Sequence, residues 1–136
     1  MQLSIYYFIL AFTVRVIFIL FQGGELEGNL VEDELLYWQN SLFFLEKGYI
    51  EESILYERMS SIFWYFKLLL SISHKEIQIL LIIQAFIDSL SCLVIYSICN
   101  ILFPHIRIYV FLSAIFSPLM IILSAQILSE TIFLFF

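Results

Sequence analysis

Charge is what this sequence has least of. Only 13% of its 136 residues are charged, and six Lys and Arg face twelve Asp and Glu, for a formal net charge of −6. A soluble domain carries about 25% charged residues, so an ordinary water-soluble core is excluded. The acidic balance also excludes a chain built to bind nucleic acid or an anionic membrane surface. There are only two cysteines, Cys92 and Cys99, both in an apolar run, so this is not a disulfide-stapled secreted mini-domain. The sequence has no Walker loop, no GxGxxG, no HExxH and no nucleophile elbow. It has no internal repeat, no low-complexity tract and no N-x-S/T sequon, since Asn29, Asn40 and Asn100 all fail the pattern.

What is there is apolar. The apolar fraction is 62% and the mean hydropathy +1.01, which excludes intrinsic disorder and predicts an all-α integral membrane protein. The first apolar run, Leu3 to Phe21, is almost entirely apolar and carries Arg15 as its one charge. At 1.5 Å per residue it reaches about 28 Å, close to the thickness of a hydrocarbon core. A cleaved signal peptide fits it poorly, because no Lys or Arg precedes the run and no A-x-A-like site follows. Residues 1–22 are therefore expected to form a first transmembrane helix. Apolar runs at 77–103 and 108–123 are expected to form the second and third, with Pro118 near the end of the third. A partial fourth over 127–136 reaches only about 15 Å. That shortfall leads us to expect a fragment.

Residues 23–76 form one long loop holding ten of the twelve acids and four of the six bases. Helical spacing recurs inside it. Leu35, Trp38, Leu42 and Leu45 make one stripe, with Asp33, Tyr37, Asn40, Ser41 and Phe44 on another face. Met59, Ile62, Phe63, Phe66, Leu69 and Leu70 make a second stripe. Both segments are expected to be amphipathic helices in the membrane interface, separated at Gly48-Tyr49 with Gly48 as a C-cap. Arg107 in the short loop 104–107 places that loop and the N-terminus inside, and the acidic loop outside the cytoplasm.

Several residues in this pattern could carry chemistry. Glu32-Asp33-Glu34 opens a helix just beyond a span. Three acids there either favour the positive end of the helix dipole or supply a general base or metal ligand at the membrane boundary. Asp33 and Tyr37 share a face. Arg15 either snorkels to the outer end or faces a polar cavity. Asp88, near the middle of its span, pairs either with a base on another helix or with Arg15. Glu130 lines an outer cavity or caps a helix. Arg58, Lys67 and Lys75 either neutralise a phosphate or sit on a solvated face. Cys92 and Cys99, and the lone His74 and His105, read as structural rather than metal-binding.

Taken in order, these features resemble a known family. Arg15 in the first helix is followed by Asp33-Glu34-x-x-Tyr37 and by Glu46-Lys47-Gly48-Tyr49. Arg58 then precedes an aromatic stretch, and a span reads Gln84-Ala85-Phe86-Ile87-Asp88-Ser89-Leu90. Ser117-Pro118 and Ser129-Glu130-Thr131-Ile132-Phe133 complete the order. This resembles the N-terminal part of GT-C glycosyltransferases, in the protein-mannosyltransferase and aminoarabinose-transferase-like branch. The resemblance implies a multi-pass enzyme that moves a sugar from a polyprenyl-phosphate donor to an extracytoplasmic acceptor. It lies in the inner membrane if bacterial and in the endoplasmic reticulum if eukaryotic.

The resemblance implies Asp33 as the catalytic acid, with Glu34 second. Arg58, Lys67, Lys75 and Arg15 would be the donor phosphate's partners, and Tyr37 and Glu130 would line the cavity. A divalent metal serves some members, and no ligand set here is assigned to one. Where relatives show Arg-Pro-Pro-x-Tyr-Pro, this chain has Arg58-Met59-Ser60-Ser61-Ile62-Phe63, without the prolines. The expected partners are the lipid bilayer, the lipid-linked sugar and either further C-terminal spans or a partner chain. The chain alone is expected to be inactive. A small non-catalytic membrane subunit and a transporter fragment are the rival readings.

Overall fold

Neither the first apolar run nor the stretch 77–102 contains a glycine or proline, and each forms one unbroken helix. A computed structural model describes the backbone of residues 2–22, 32–50 and 60–127, and the side chains of all of these but 2–4, 32, 33 and 60. The described residues form six helices and no strand: α1 (Gln2–Phe21), α2 (Glu32–Lys47), α3 (Ser60–Ile72), α4 (Ile77–Leu102), α5 (Arg107–Phe116) and α6 (Pro118–Ser124).

Helices α1 and α4 pack antiparallel. Tyr7 meets Tyr96 edge to face at 4.9 Å, Ala11 clusters with Cys92, Arg15 pairs with Asp88, and Ile19 clusters with Ala85. Small residues line this seam. Ala11, Ala85, Ser89 and Cys92 are fully buried and let the two backbones approach. The serine hydroxyls turn back onto their own helix, Ser89 Oγ donating to the Ala85 carbonyl at 2.6 Å, which satisfies them without a neighbour.

Helices α5 and α6 return along this pair. Phe111 and Ile115 pack beside Ala11 and Cys92, and Ala125 and Ile127 reach the cluster around Ile19 and Ala85. The third expected span is not straight. Ser117 is extended, Pro118 begins α6, and the two helices meet at a bend of 51°. Proline has no N–H for the preceding turn and pushes the residue before it out of the helical region. The helix therefore stops at Phe116 and restarts. Of the three complete spans expected, one described helix, α4, is by itself long and apolar enough to cross a membrane, and α5 with α6 would make a second only if the bent pair is one span.

Helices α2 and α3 pack together at the end of this layer where α1 finishes and α4 begins. The α3 stripe is as expected, with Ile62, Phe63, Phe66, Leu69 and Leu70 all buried; Met59 lies outside the described residues. The buried face of α2 combines Trp38 of the apolar stripe with residues of the other face. Tyr37, Trp38, Ser41 and Phe44 turn inward, while Leu35 is exposed and Leu42 and Leu45 are half-buried. Aromatic rings carry more apolar area than leucine, and Tyr37 finds Phe66 at 5.6 Å and Phe63 at 6.0 Å. The rings set the rotation of α2, and the leucines follow. Gly48 ends α2 as expected: its φ is +82°, and its N–H donates to the Phe44 carbonyl at 3.0 Å. His74 and Lys75 also take left-handed angles, φ 52° and 66°, in the turn from α3 to α4.

Candidate functional site

The acidic first turn of α2 lies over the end of the α1–α4–α6 layer. Asp33 is within that turn, and its side chain lies outside the described residues, as do Arg58 and Glu130. Glu34 is 5% exposed, and its carboxylate accepts the backbone N–H of Ile127 at 3.0 Å. That bond fastens the start of α2 to the chain just beyond α6. A buried carboxylate needs such donors, because it gives up hydration that only hydrogen bonds replace. Tyr37, one helical turn further, is buried between α2 and α3.

Arg15 occupies a different place from this turn. It is 0% exposed, and three of its nitrogens are engaged within the helix layer. Nε binds the Asp88 carboxylate, one terminal nitrogen donates to the Ala11 carbonyl at 3.1 Å, and the other contacts Cys92 Sγ at 3.2 Å. Asp88 is 2% exposed. Of the two partners open to Asp88, Arg15 is the one found. The pair neutralises both charges where neither could reach water. Cys92 and Cys99 are free thiols.

Two of the three described lysines, Lys67 and Lys75, are also engaged. Lys67 Nζ lies 3.8 Å from the centre of the Phe44 ring and 4.9 Å from that of Trp64, a cation–π arrangement. Lys75 Nζ binds Glu46 Oε1 at 2.7 Å, both side chains exposed. The hydrogen bond and positive charge of Lys75 hold the Glu46 carboxyl below its ordinary value. Among the described residues no group of three or more His, Cys, Asp or Glu could hold a metal ion.

Other polar groups lack partners among the described residues. Gln84 is fully buried and neither end of its amide is hydrogen-bonded to them; Ser41 Oγ and Tyr65 Oη are also buried without a partner among them. Burial pushes the Tyr65 phenol up to about 12. The signal for Gln84 was an amide inside an apolar run; nothing in the sequence marks Ser41 or Tyr65. The chain matches no protein-family model, no curated protein and no solved structure.

Proposed function

We propose that the chain is the N-terminal part of a multi-pass membrane glycosyltransferase of the GT-C kind. In this reading α1, α4 and the bent α5–α6 pair are its first three spans. Asp33 is the general base at the membrane boundary. It takes the proton of an acceptor hydroxyl, whose oxygen attacks the anomeric carbon. The bond from that carbon to the phosphate oxygen breaks, and the lipid phosphate leaves with the electron pair. Bases near the site, Arg58 first and Lys67 or Lys75 second, would offset the charge on the leaving phosphate. The observation that supports this reading best is the acidic first turn of α2, tied by Glu34 to Ile127 at the end of an apolar helix layer.

The test is Asp33→Asn in the complete protein. Loss of a positioned general base costs about 10²–10⁴-fold in transfer rate, while insertion and folding stay intact. Unchanged transfer from a lipid-linked sugar would overturn the reading. A non-catalytic membrane subunit is the second reading, and one observation favours it. Arg15, Lys75, Lys67 and Glu34 each already have a partner within the chain. On that reading Asp33→Asn changes nothing.

A further inference from the structure

Helices α5 and α6 meet at a break in which the backbone is unpaired. Among the described residues no backbone hydrogen bond crosses from one helix to the other. Pro118 has no N–H, and the carbonyls of Ser113, Ala114, Ile115 and Phe116 find no donor one turn on. The N–H groups of Ser117, Leu119 and Met120 find no acceptor among the described residues. The break also lies deep. Helix α5 begins after the turn 103–106 at the end of α4, and its ten residues rise about 15 Å. That is half of a hydrocarbon core of about 30 Å. The packing agrees, since Phe111 and Ile115 lie beside Ala11 and Cys92, near the middles of α1 and α4. Lipid offers such backbone groups no partner, so an irregular segment at this depth is held only where protein or water covers it. The outer side of the break is uncovered among the described residues, with Leu112, Phe116 and Leu119 exposed. These side chains make a poor wall for water and a good one for another helix.

We infer that a second copy of this chain covers the break, the two copies meeting through their α5–α6 faces across a two-fold axis. The face carries the groups that the break lacks. Ser113 is exposed, and Ser117 follows it by one turn. Ser117 Oγ makes no hydrogen bond among the described residues, so its O–H is a donor for the unpaired carbonyls of the other copy. Ser113 Oγ donates to the Val110 carbonyl at 2.8 Å, which leaves its lone pairs as acceptors for the other copy's unpaired N–H groups. In a two-fold contact each copy gives and receives the same bonds. Leu112 and Phe116 supply apolar contact beside them, and the small Ser113 lets the two backbones approach. This assignment rests on α5 and α6 forming one bent span and is independent of sugar transfer.

Cysteine cross-linking in the membrane tests the contact. Leu112→Cys and Phe116→Cys are compared with Ile9→Cys, on the exposed side of α1, and with the native chain, whose Cys92 is buried and Cys99 half-buried. The three replaced side chains are exposed, so none of the changes opens the packed interior. Oxidation with copper phenanthroline is expected to give covalent dimers from the two α5 variants and none from Ile9→Cys or the native chain. Sedimentation of the native chain in detergent is expected to give the mass of a dimer. Ser117→Ala, which deletes the donor, is expected to weaken association at least about threefold. No cross-link from either α5 position, or a monomer in detergent, means that a different helix or water covers the break and overturns the assignment. Equal cross-linking from Ile9→Cys means random collision and overturns it too. A dimer that stays as tight in Ser117→Ala means that the copies meet without serving the backbone, which also overturns it.

Discussion

Glu34 and Ile127 lie 93 positions apart and are joined by a single 3.0 Å hydrogen bond from the Ile127 N–H to the Glu34 carboxylate. The bond makes Glu34 a tie between α2 and the end of α6, so its contribution to structure can be separated from any in chemistry. Glu34→Gln keeps an acceptor and is expected to hold the fold. Glu34→Ala strands a buried N–H and is expected to cost about 1–3 kcal/mol. Denaturation in detergent compares the two. Equal losses from both variants would show that the charge, and not the acceptor, is what α2 needs.

Arg15 and Asp88 call for a paired test. Removing one member of a buried ion pair leaves the other uncompensated, at a cost of about 3–5 kcal/mol, whereas replacing both by apolar residues of similar size is often neutral. Asp88→Leu alone should therefore destabilise the α1–α4 pair strongly, as should Arg15→Met alone, and the two together should recover most of the loss. A double-mutant cycle on thermal unfolding measures this. Strictly additive losses would mean that the two side chains do not depend on each other. A transporter that used Asp88 would instead lose transport in the double variant while keeping its stability.

Tyr65 gives a prediction in pH. Its phenol is raised by burial from about 10 in the unfolded chain to about 12 when folded. The folded state therefore holds that proton more tightly. The resulting contribution is fully present below pH 10 and is lost as pH rises through 12. Tyr65→Phe should remove this alkaline loss. It should also leave stability at neutral pH unchanged or higher, because the buried hydroxyl it deletes has no partner among the described residues. Unfolding measured against pH for both chains decides the matter, and the same alkaline loss in the Phe variant would rule Tyr65 out as its source.

Much of this arrangement is legible in the residues. The apolar runs and the break at Gly48 mark most of the helices, and the α3 stripe from Ile62 to Leu70 is correct residue by residue. Spacing alone does not centre the buried face of α2, because Leu35-Trp38-Leu42-Leu45 and Tyr37-Ser41-Phe44 both fit a helix, and the packing takes Trp38 from the first and all three of the second. The pairing of Arg15 with Asp88 was one of two options, since choosing it requires the register between helices 73 positions apart. The proline near the end of the third run was visible, but the size of the bend it produces was not. Lys67 and Lys75 read as phosphate partners or as members of a solvated face or headgroup contact, and their engagement with Phe44, Trp64 and Glu46 is one that only the packing brings about.

The distance along the chain between Arg15 and Asp88 also sets a schedule. A ribosome adding about 5–20 residues per second delivers Asp88 roughly 4–15 seconds after Arg15, given the 73 positions between them. Through that interval α1 carries the positive charge of Arg15 without the carboxylate that later pairs with it. The first helix made is thus completed by a later one, and its final packing is decided when α4 emerges.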